Sequence, residues 1–401
     1  MIWLRNGSIF NVETGAFERR DIGIDKERLA WLSPAGMPAP ADSVLDLSGA
    51  FLLPGLIDCH VHLVMPSEEP DPAAAAKRTD AAVALYAAHA ARATLHGGTT
   101  TIRDCGGWNY VEMAVREAIA QGFAEGPRMF LAGRLLSITT GGMDCYPGMY
   151  EIADGIEAVR RAARKQLANG ADFIKVMATG AILSPENEDA RAIQYTPDEI
   201  KAAVGIAEDN YRPVAAHAHA CQGIVNAVEA GASSIEHGSF ADEAALQLMA
   251  LRGVHLVPTC CAFAAVTGDP EIAGSMPPHM RQRIDEARAI HDSTIRNAYR
   301  LGVPIAMGTD AGTPGNHHGR NADECVLMVK EIGMTPADAI RTATINGARL
   351  LRQEANLGSL EAGKFADLIA TRENPLDDIT ALTRLSLVMK GGSIVRSAHH
   401  N

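Results

Sequence analysis

The sequence lacks the features that would direct it to a membrane, to nucleic acid or out of the cell. No segment of its 401 residues reaches the run of about 18 apolar residues that a bilayer span needs. The N-terminus, MIWLRNGSIFNVETGAFERRD, interrupts its apolar start with Arg5, Asn6 and Gly7 before a signal-peptide core forms. There is no basic excess: 36 Lys+Arg stand against 48 Asp+Glu, a formal charge of -12, with no local basic patch. Such a balance repels phosphate backbones and anionic lipid. The seven cysteines are odd in number and show no CxxC spacing, which disfavours both a disulfide framework and a zinc ribbon. These absences predict a soluble cytoplasmic protein whose partner is a small-molecule substrate, with no nucleic acid and no membrane partner. They leave a homo-oligomer open.

What is present is a change of texture along the chain. Up to about residue 54 the sequence alternates in short strands separated by turn signals: IWLR, the turn NGS, IFNVE, DIGID, RLAWL and VLDL. From there to about residue 355, eight short apolar runs are each followed by a stretch of helical spacing. The runs are FLLPGLID, TTIRDC, RMFLAG, FIKVMA, PVAAHA, SIEHG, VHLVPT and PIAMGTD. Eight such βα alternations predict an α/β fold, a (β/α)8 TIM barrel over 55–355. MTPADAIRTATINGARLL then reads as a capped helix, Thr335 at the N-cap and Pro336 at the first helical position. Strand texture returns after it, so residues 1–54 and 356–401 are expected to form one small β-sandwich domain from both chain ends. The segment from Thr259 to Pro278, rich in proline and glycine, reads as a loop capping the cleft. The alanine-rich helix around Ala73 to Ala93 is the sole low-complexity stretch.

Barrel enzymes place their chemistry at the carboxyl ends of the strands. The first strand ends in Asp58-Cys59-His60-Val61-His62, and two histidines at i and i+2 project to the same side of a strand. By itself HxH is explained equally well as two polar residues at a barrel mouth. In the fourth run Lys175 lies among apolar neighbours, where an ammonium without a partner is costly. It is either a snorkelling or paired lysine, or a neutral amine able to capture carbon dioxide as a carbamate. The fifth strand ends in His217-Ala218-His219, the sixth in Glu236-His237-Gly238 and the eighth in Gly308-Thr309-Asp310. Singly each is a structural polar residue. Together, in one mouth, they supply imidazoles, a carboxylate and a latent carbamate.

LLPGLIDCHVHL, IKVMATGA, VAAHAHA, IEHGSF and GTDAGTPGNHHGRN, with GMTPADAIRTATINGARLL and LGSLEAGKFADLIATRENPLDDI later, resemble the amidohydrolase superfamily over essentially the whole chain. Within it the sequence most resembles the imidazolonepropionase-related branch that includes Xaa-Pro and Xaa-Arg dipeptidases. The resemblance implies two divalent metal ions, held by His60, His62, Lys175, His217, His237 and Asp310, with Lys175 modified to a carbamate derived from carbon dioxide. Imidazole and carboxylate ligands suit zinc, the first choice, but also manganese, iron and cobalt. One metal falls to His60, His62 and Asp310, the other to His217 and His237, with the carbamate and a hydroxide bridging. Asp310 is implied as the catalytic acid/base, taking a proton during hydroxide attack and passing it to the leaving amine.

Around the metals, His219 is expected to contact substrate, as a Tyr or His does in the resembling dipeptidases. Met143 stands where those dipeptidases read Gly-Gly-His, which replaces a polar contact and sets the substrate apart. Arg134, Tyr146 and His318 are further candidates for gripping a carboxylate or carbonyl. The expected function is prolidase- or carboxypeptidase-like cleavage of a C–N amide bond in a dipeptide or N-acyl amino acid. The same metals would also serve a lactone, carbamate or phosphoester hydrolase. A non-catalytic amidohydrolase-like scaffold would instead be expected to lose Lys175 or Asp310, and both are present.

Overall fold

The computed structural model describes residues 1–36, 41–69, 77–144 and 146–397. The two chain ends pair in one mixed sheet of eight strands. Strand β1 (Ile2–Asn11) runs antiparallel to β2 (Ala16–Asp25), which pairs with β3 (Arg28–Pro34). On its other side β1 lies parallel to β4 (Ser43–Asp46) and β5 (Phe51–Pro54). The expected turn at NGS is absent, because the chain runs through it as a single strand. A register shift between Leu4 and Gly7, with Asn6 at φ 63°, absorbs the extra residues as a bulge.

Alternation gives this sheet two buried faces. Ile9, Leu52, Leu368 and Leu387 enter one apolar cluster, while Phe10, Leu53, Ile369 and Val388 join the main core.

Gly55 ends the terminal sheet, so FLLPGLID is two strands and not one. Its close approach to Thr100, whose Oγ1 would lie 2.2 Å from an added Cβ, requires glycine. Strands β6 (Leu56–Val61), β7 (Thr99–Asp104) and β8 (Arg128–Leu131) form a three-stranded parallel sheet. A second parallel sheet of six strands follows the order β10 (Tyr150–Ile152), β9 (Leu135–Ser137), β11 (Ile174–Met177), β12 (Val214–Ala220), β13 (Ser234–Phe240), β14 (His255–Val257). Strands β9 and β10 carry too short a pattern to be read from sequence. The terminal sheet is completed by β15 (Leu368–Thr371), β16 (Leu385–Lys390) and β17 (Ser393–Ser397), with β15 against β5.

The eighth expected run, PIAMGTD, is not a regular strand. It touches β14 through the single bridge Leu256↔Ile305 and β6 through Val61↔Ala311. Backbone bonds from Ala306 N to Leu256 O (3.0 Å) and from Cys59 N to Met307 O (2.8 Å) still link it to both sheets. Met307 N turns instead to Thr342 O (2.9 Å), which interrupts the ladder with β6, and the left-handed backbone of Asp310, φ 59°, ends the run.

Helices fill the connections, from Asp80–His96 to Pro278–Arg300. Residues 73–76 of the alanine-rich stretch lie outside the described residues. The segment expected as a capping loop is instead two short helices, Cys260–Gly268 and Pro270–Ser275. Pro270 takes the first helical position and Asp269 caps it, bonding Glu271 N at 2.9 Å, so the proline that suggested a loop starts a helix. Thr335 caps the helix beginning at Pro336 as its sequence predicts. Among the described residues no helix is long and apolar enough to cross a membrane.

Candidate metal centre

The parallel strands bring His60, His62, Lys175, His217, His219, His237 and Asp310 around one cleft, which encloses about 870 Å3 of empty space including its open mouth. Strand alternation sends His60 and His62 to the same side of β6, and His217 and His219 to the same side of β12. Alternation alone would separate Glu236 from His237. A left-handed backbone at His237, φ 66°, turns both into the cluster. Asp310 and Thr259 share that conformation, at φ 59° each. For β-branched Thr259 this is a costly backbone, concentrated where the site is built.

The hydrogen bonds around the imidazoles determine where their lone pairs point. Burial opposes ionisation of Glu236, but Arg103, at 2.7 Å, together with Lys175 and His60 outweighs it and holds the carboxyl well below its usual range. Glu236 is therefore an acceptor, and His60 Nδ1 donates to it at 2.7 Å, leaving Nε2 bare. His62 Nδ1 donates to the Gly106 carbonyl at 3.1 Å, which also leaves Nε2 bare. Thr259 Oγ1 gives its proton to the Pro258 carbonyl (2.6 Å) and so accepts from His237 Nδ1 (2.8 Å). His217 Nε2 donates to the Gly180 carbonyl at 3.2 Å, leaving its Nδ1 bare.

Two consequences follow from these tautomers. His237 Nε2 and His217 Nδ1 face each other at 3.0 Å with no proton between them, a repulsive arrangement that a cation relieves. Two nitrogens on one tetrahedral zinc would stand about 3.3 Å apart. The bare nitrogens of His60 and His62 lie 3.5 and 3.4 Å from the same Asp310 oxygen, Oδ1. Burial, helped by Lys175, holds His60 well below the ordinary histidine range, and burial brings His62 to about 4 and His219 to about 3. His217 and His237 are lowered well below that range, again chiefly by burial. Neutral imidazoles are what a divalent cation requires. Burial pushes Asp310 up to about 7 against the pull of Lys175.

Lys175 itself is 1% exposed, and its Nζ has no hydrogen-bond partner. A buried, unpartnered amine beside imidazole lone pairs is costly as it stands. A carbamate there, with cations to bind its oxygens, removes that cost, so the donor set fits the expected metals. His219 also lies within ligand reach of His217 and His237.

Of the expected substrate contacts, His219 and Tyr146 line the cleft. Met143 lies on the 3-10 turn Gly141–Asp144, and its side chain is outside the described residues. Arg134 does not line the cleft: its guanidinium bonds Asn109 and lies 3.9 Å from Glu151. His318 is likewise absent from the wall and packs behind it against the backbone of His62 and Met65. Sequence reasoning assigned no role to Glu236, Arg103, Thr259 or the apolar wall of Met65, Leu135, Met177 and Ile284. The one available signal was Glu236 beside His237 at a strand end. Because Thr259 orients His237, Thr259→Val should weaken metal binding by about 10- to 100-fold in a chelator competition titration. Unchanged affinity would remove that orienting role.

An α/β protein with a buried cluster of neutral imidazoles, one carboxylate and one amine at the carboxyl ends of parallel strands has the donor set of a metal-assisted hydrolase. The sequence profile of the amidohydrolase family matches residues 51–395, and the chain belongs to that family. It is 34% identical over 375 residues to the ochratoxinase of Aspergillus niger, an alignment covering 86% of this chain and 75% of the relative. A Xaa-Pro dipeptidase crystallised with methionine in its active site superposes with a TM-score of 0.91 at 35% identity, covering 98% of this chain and 99% of that one. A prolidase in complex with N-methylphosphonate-L-proline does so with a TM-score of 0.91 at 29% identity, covering 99% of each. The chain therefore has a TIM-barrel-type α/β fold and is a hydrolase of the amidohydrolase family.

Proposed function

We propose that the protein is a binuclear metal-dependent hydrolase of dipeptides or N-acyl amino acids with apolar side chains. The observation that carries this reading is the buried, unpartnered Nζ of Lys175 in the cleft that the imidazoles and Asp310 also line. His60, His62 and Asp310 would hold one cation, His217 and His237 the other, and carboxylated Lys175 would bridge them. Two bound cations supply hydroxide near neutral pH and polarise the scissile carbonyl. Asp310 would serve as the general acid/base, holding the proton of the attacking water and passing it to the departing amine nitrogen.

Strands β6, β7, β8, β11, β12, β13 and β14, with residues 304–311 as the eighth, are read as a closed barrel with this site at its mouth. The terminal sheet, folded over its own apolar face, is read as the small sandwich. Met65, Met149, Ile182, Leu183, Phe263 and Ile284 make the cleft wall mostly apolar, and Lys175 is its one lysine or arginine among the described residues. That wall favours uncharged, hydrophobic side chains over basic ones. The six described cysteines are unpaired, in keeping with a cytoplasmic setting and a small molecule as partner.

The test is a screen of protein reconstituted with zinc, manganese or cobalt against dipeptide and N-acyl amino acid libraries. Hydrolysis of apolar members, lost on chelation and restored by metal, is the expected result. Equal activity after complete metal removal would overturn the metal-dependent reading, and turnover of lactones or phosphoesters alone would overturn the amide one.

A further inference from the structure

Part of the cleft wall comes from two loops. The segment between β9 and β10 contributes Gly142 and Tyr146, and the segment after β11 contributes Ala181, Ile182, Leu183 and Ser184. One side chain ties them together. Glu188, 6% exposed, accepts at Oε2 from Gly142 N (2.6 Å) and Thr140 Oγ1 (2.7 Å). Its Oε1 accepts from Ser184 Oγ (3.1 Å), Gln194 Nε2 (3.2 Å) and Ala181 N (3.4 Å). The approach is tight: a Cβ on Gly142 would stand 2.3 Å from Glu188 Oε2.

We propose that Glu188 is a positioning residue that sets substrate selectivity by clamping these two loops into one wall. This rests on the reading of the cleft as an amide-substrate site. Every partner presents a proton, so an acceptor-only group is demanded at this position. A neutral amide fails in either orientation, because its NH2 must face the fixed N–H of Gly142 or the N–H groups of Ala181 and Gln194. The Thr140 and Ser184 hydroxyls can rotate to accept, but the backbone amides cannot.

Glu188 is separable from the metal cluster. The Gly180 carbonyl that orients His217 sits in the same segment, yet Gly180 N bonds Ala192 O (2.9 Å) and Gln194 N bonds Ala178 O (3.0 Å) without help from Glu188. From the other side, Arg283 Nη1 bonds the Ser184 carbonyl at 3.0 Å. Loss of the clamp therefore loosens the wall that touches substrate and spares the ligands.

The experiment compares wild type, Glu188→Gln, Gln194→Glu and the double variant, all metal-loaded. In Glu188→Gln, KM for an apolar dipeptide should rise about tenfold. The change in kcat should stay within about threefold, with metal content unchanged. In the double variant the amide introduced at 188 can turn its NH2 toward the carboxylate introduced at 194, which still accepts from Ser137 Oγ, now 2.8 Å from Gln194 Oε1. KM should then return part of the way to wild type, because Ala181 N, the longest of the five contacts at 3.4 Å, is the one fixed donor still facing the NH2; a merely structural role would not produce this rescue. Hydrogen exchange at the Gly142 amide should quicken in Glu188→Gln and slow again in the double variant, where the amide oxygen at 188 faces it. That readout needs no turnover. A wild type inert toward amides, with this exchange pattern intact, would count against the amide reading and leave the clamp standing. Unchanged exchange and KM in Glu188→Gln would overturn the clamp, as would joint loss of metal and kcat unrelieved in the double variant.

Discussion

Lys175→Ala should lose bound metal and activity together. The wild-type amine is buried without a partner in the cleft lined by His60, His62, His217, His237 and Asp310. With the proposed carbamate bridge removed, metal content should fall from the proposed two cations per chain to about one or fewer. Charge stabilisation by such a pair is worth several kcal/mol, so kcat/KM should drop by about a thousandfold or more. Short carboxylic acids added to Lys175→Ala should restore part of both, since they can enter the space left by the side chain and offer the same two oxygens. A second variant separates metal loss from misfolding. Lys175→Met keeps the volume and removes the buried polar group, so the metal-free form should be at least as resistant to urea as metal-free wild type. Full metal loading and undiminished turnover in Lys175→Ala would sink the bridge.

Asp310→Asn should show the opposite split. Asparagine keeps the shape and one coordinating oxygen but cannot accept and then return a proton. The backbone at 310 is left-handed, φ 59°, a conformation asparagine tolerates well, so local folding should survive. His217 and His237 are oriented by Gly180 and Thr259, neither of which depends on Asp310. At least one cation should therefore remain while kcat falls by about 10^2- to 10^4-fold, the range typical of a lost general acid/base. Metal analysis beside single-turnover kinetics distinguishes this from the Lys175 result. Turnover equal to wild type would remove Asp310 from proton transfer.

These two residues also mark how far the sequence could be read. Lys175 and Asp310 stand out locally: a lysine inside an apolar run and an aspartate ending one. The βα texture, the HxH pair and the Thr335 cap are short-range patterns of the same kind. Other features depended on contacts between distant segments. PIAMGTD lost its ladder where Met307 N turns to Thr342 O, the proline-rich stretch after Thr259 became two helices, and NGS became a bulge because Asp21 Oδ1 accepts from Asn6 N at 2.8 Å. Arg134 and His318 looked like clamps because their side chains are suited to carboxylates. Packing turned Arg134 toward Asn109 and Glu151, and placed His318 behind His62.

The sequence by itself determined which side chains stand at the ends of the parallel strands, because hydrophobic periodicity locates strands and alternation assigns their faces. It could not determine which nitrogen of each ring faces inward. That choice belongs to Glu236, Gly106, Gly180 and Thr259, each on a segment other than that of the histidine it orients. The tertiary structure decided it, because a tautomer is set by whatever accepts its proton, and here the acceptors arrive only when the strands assemble.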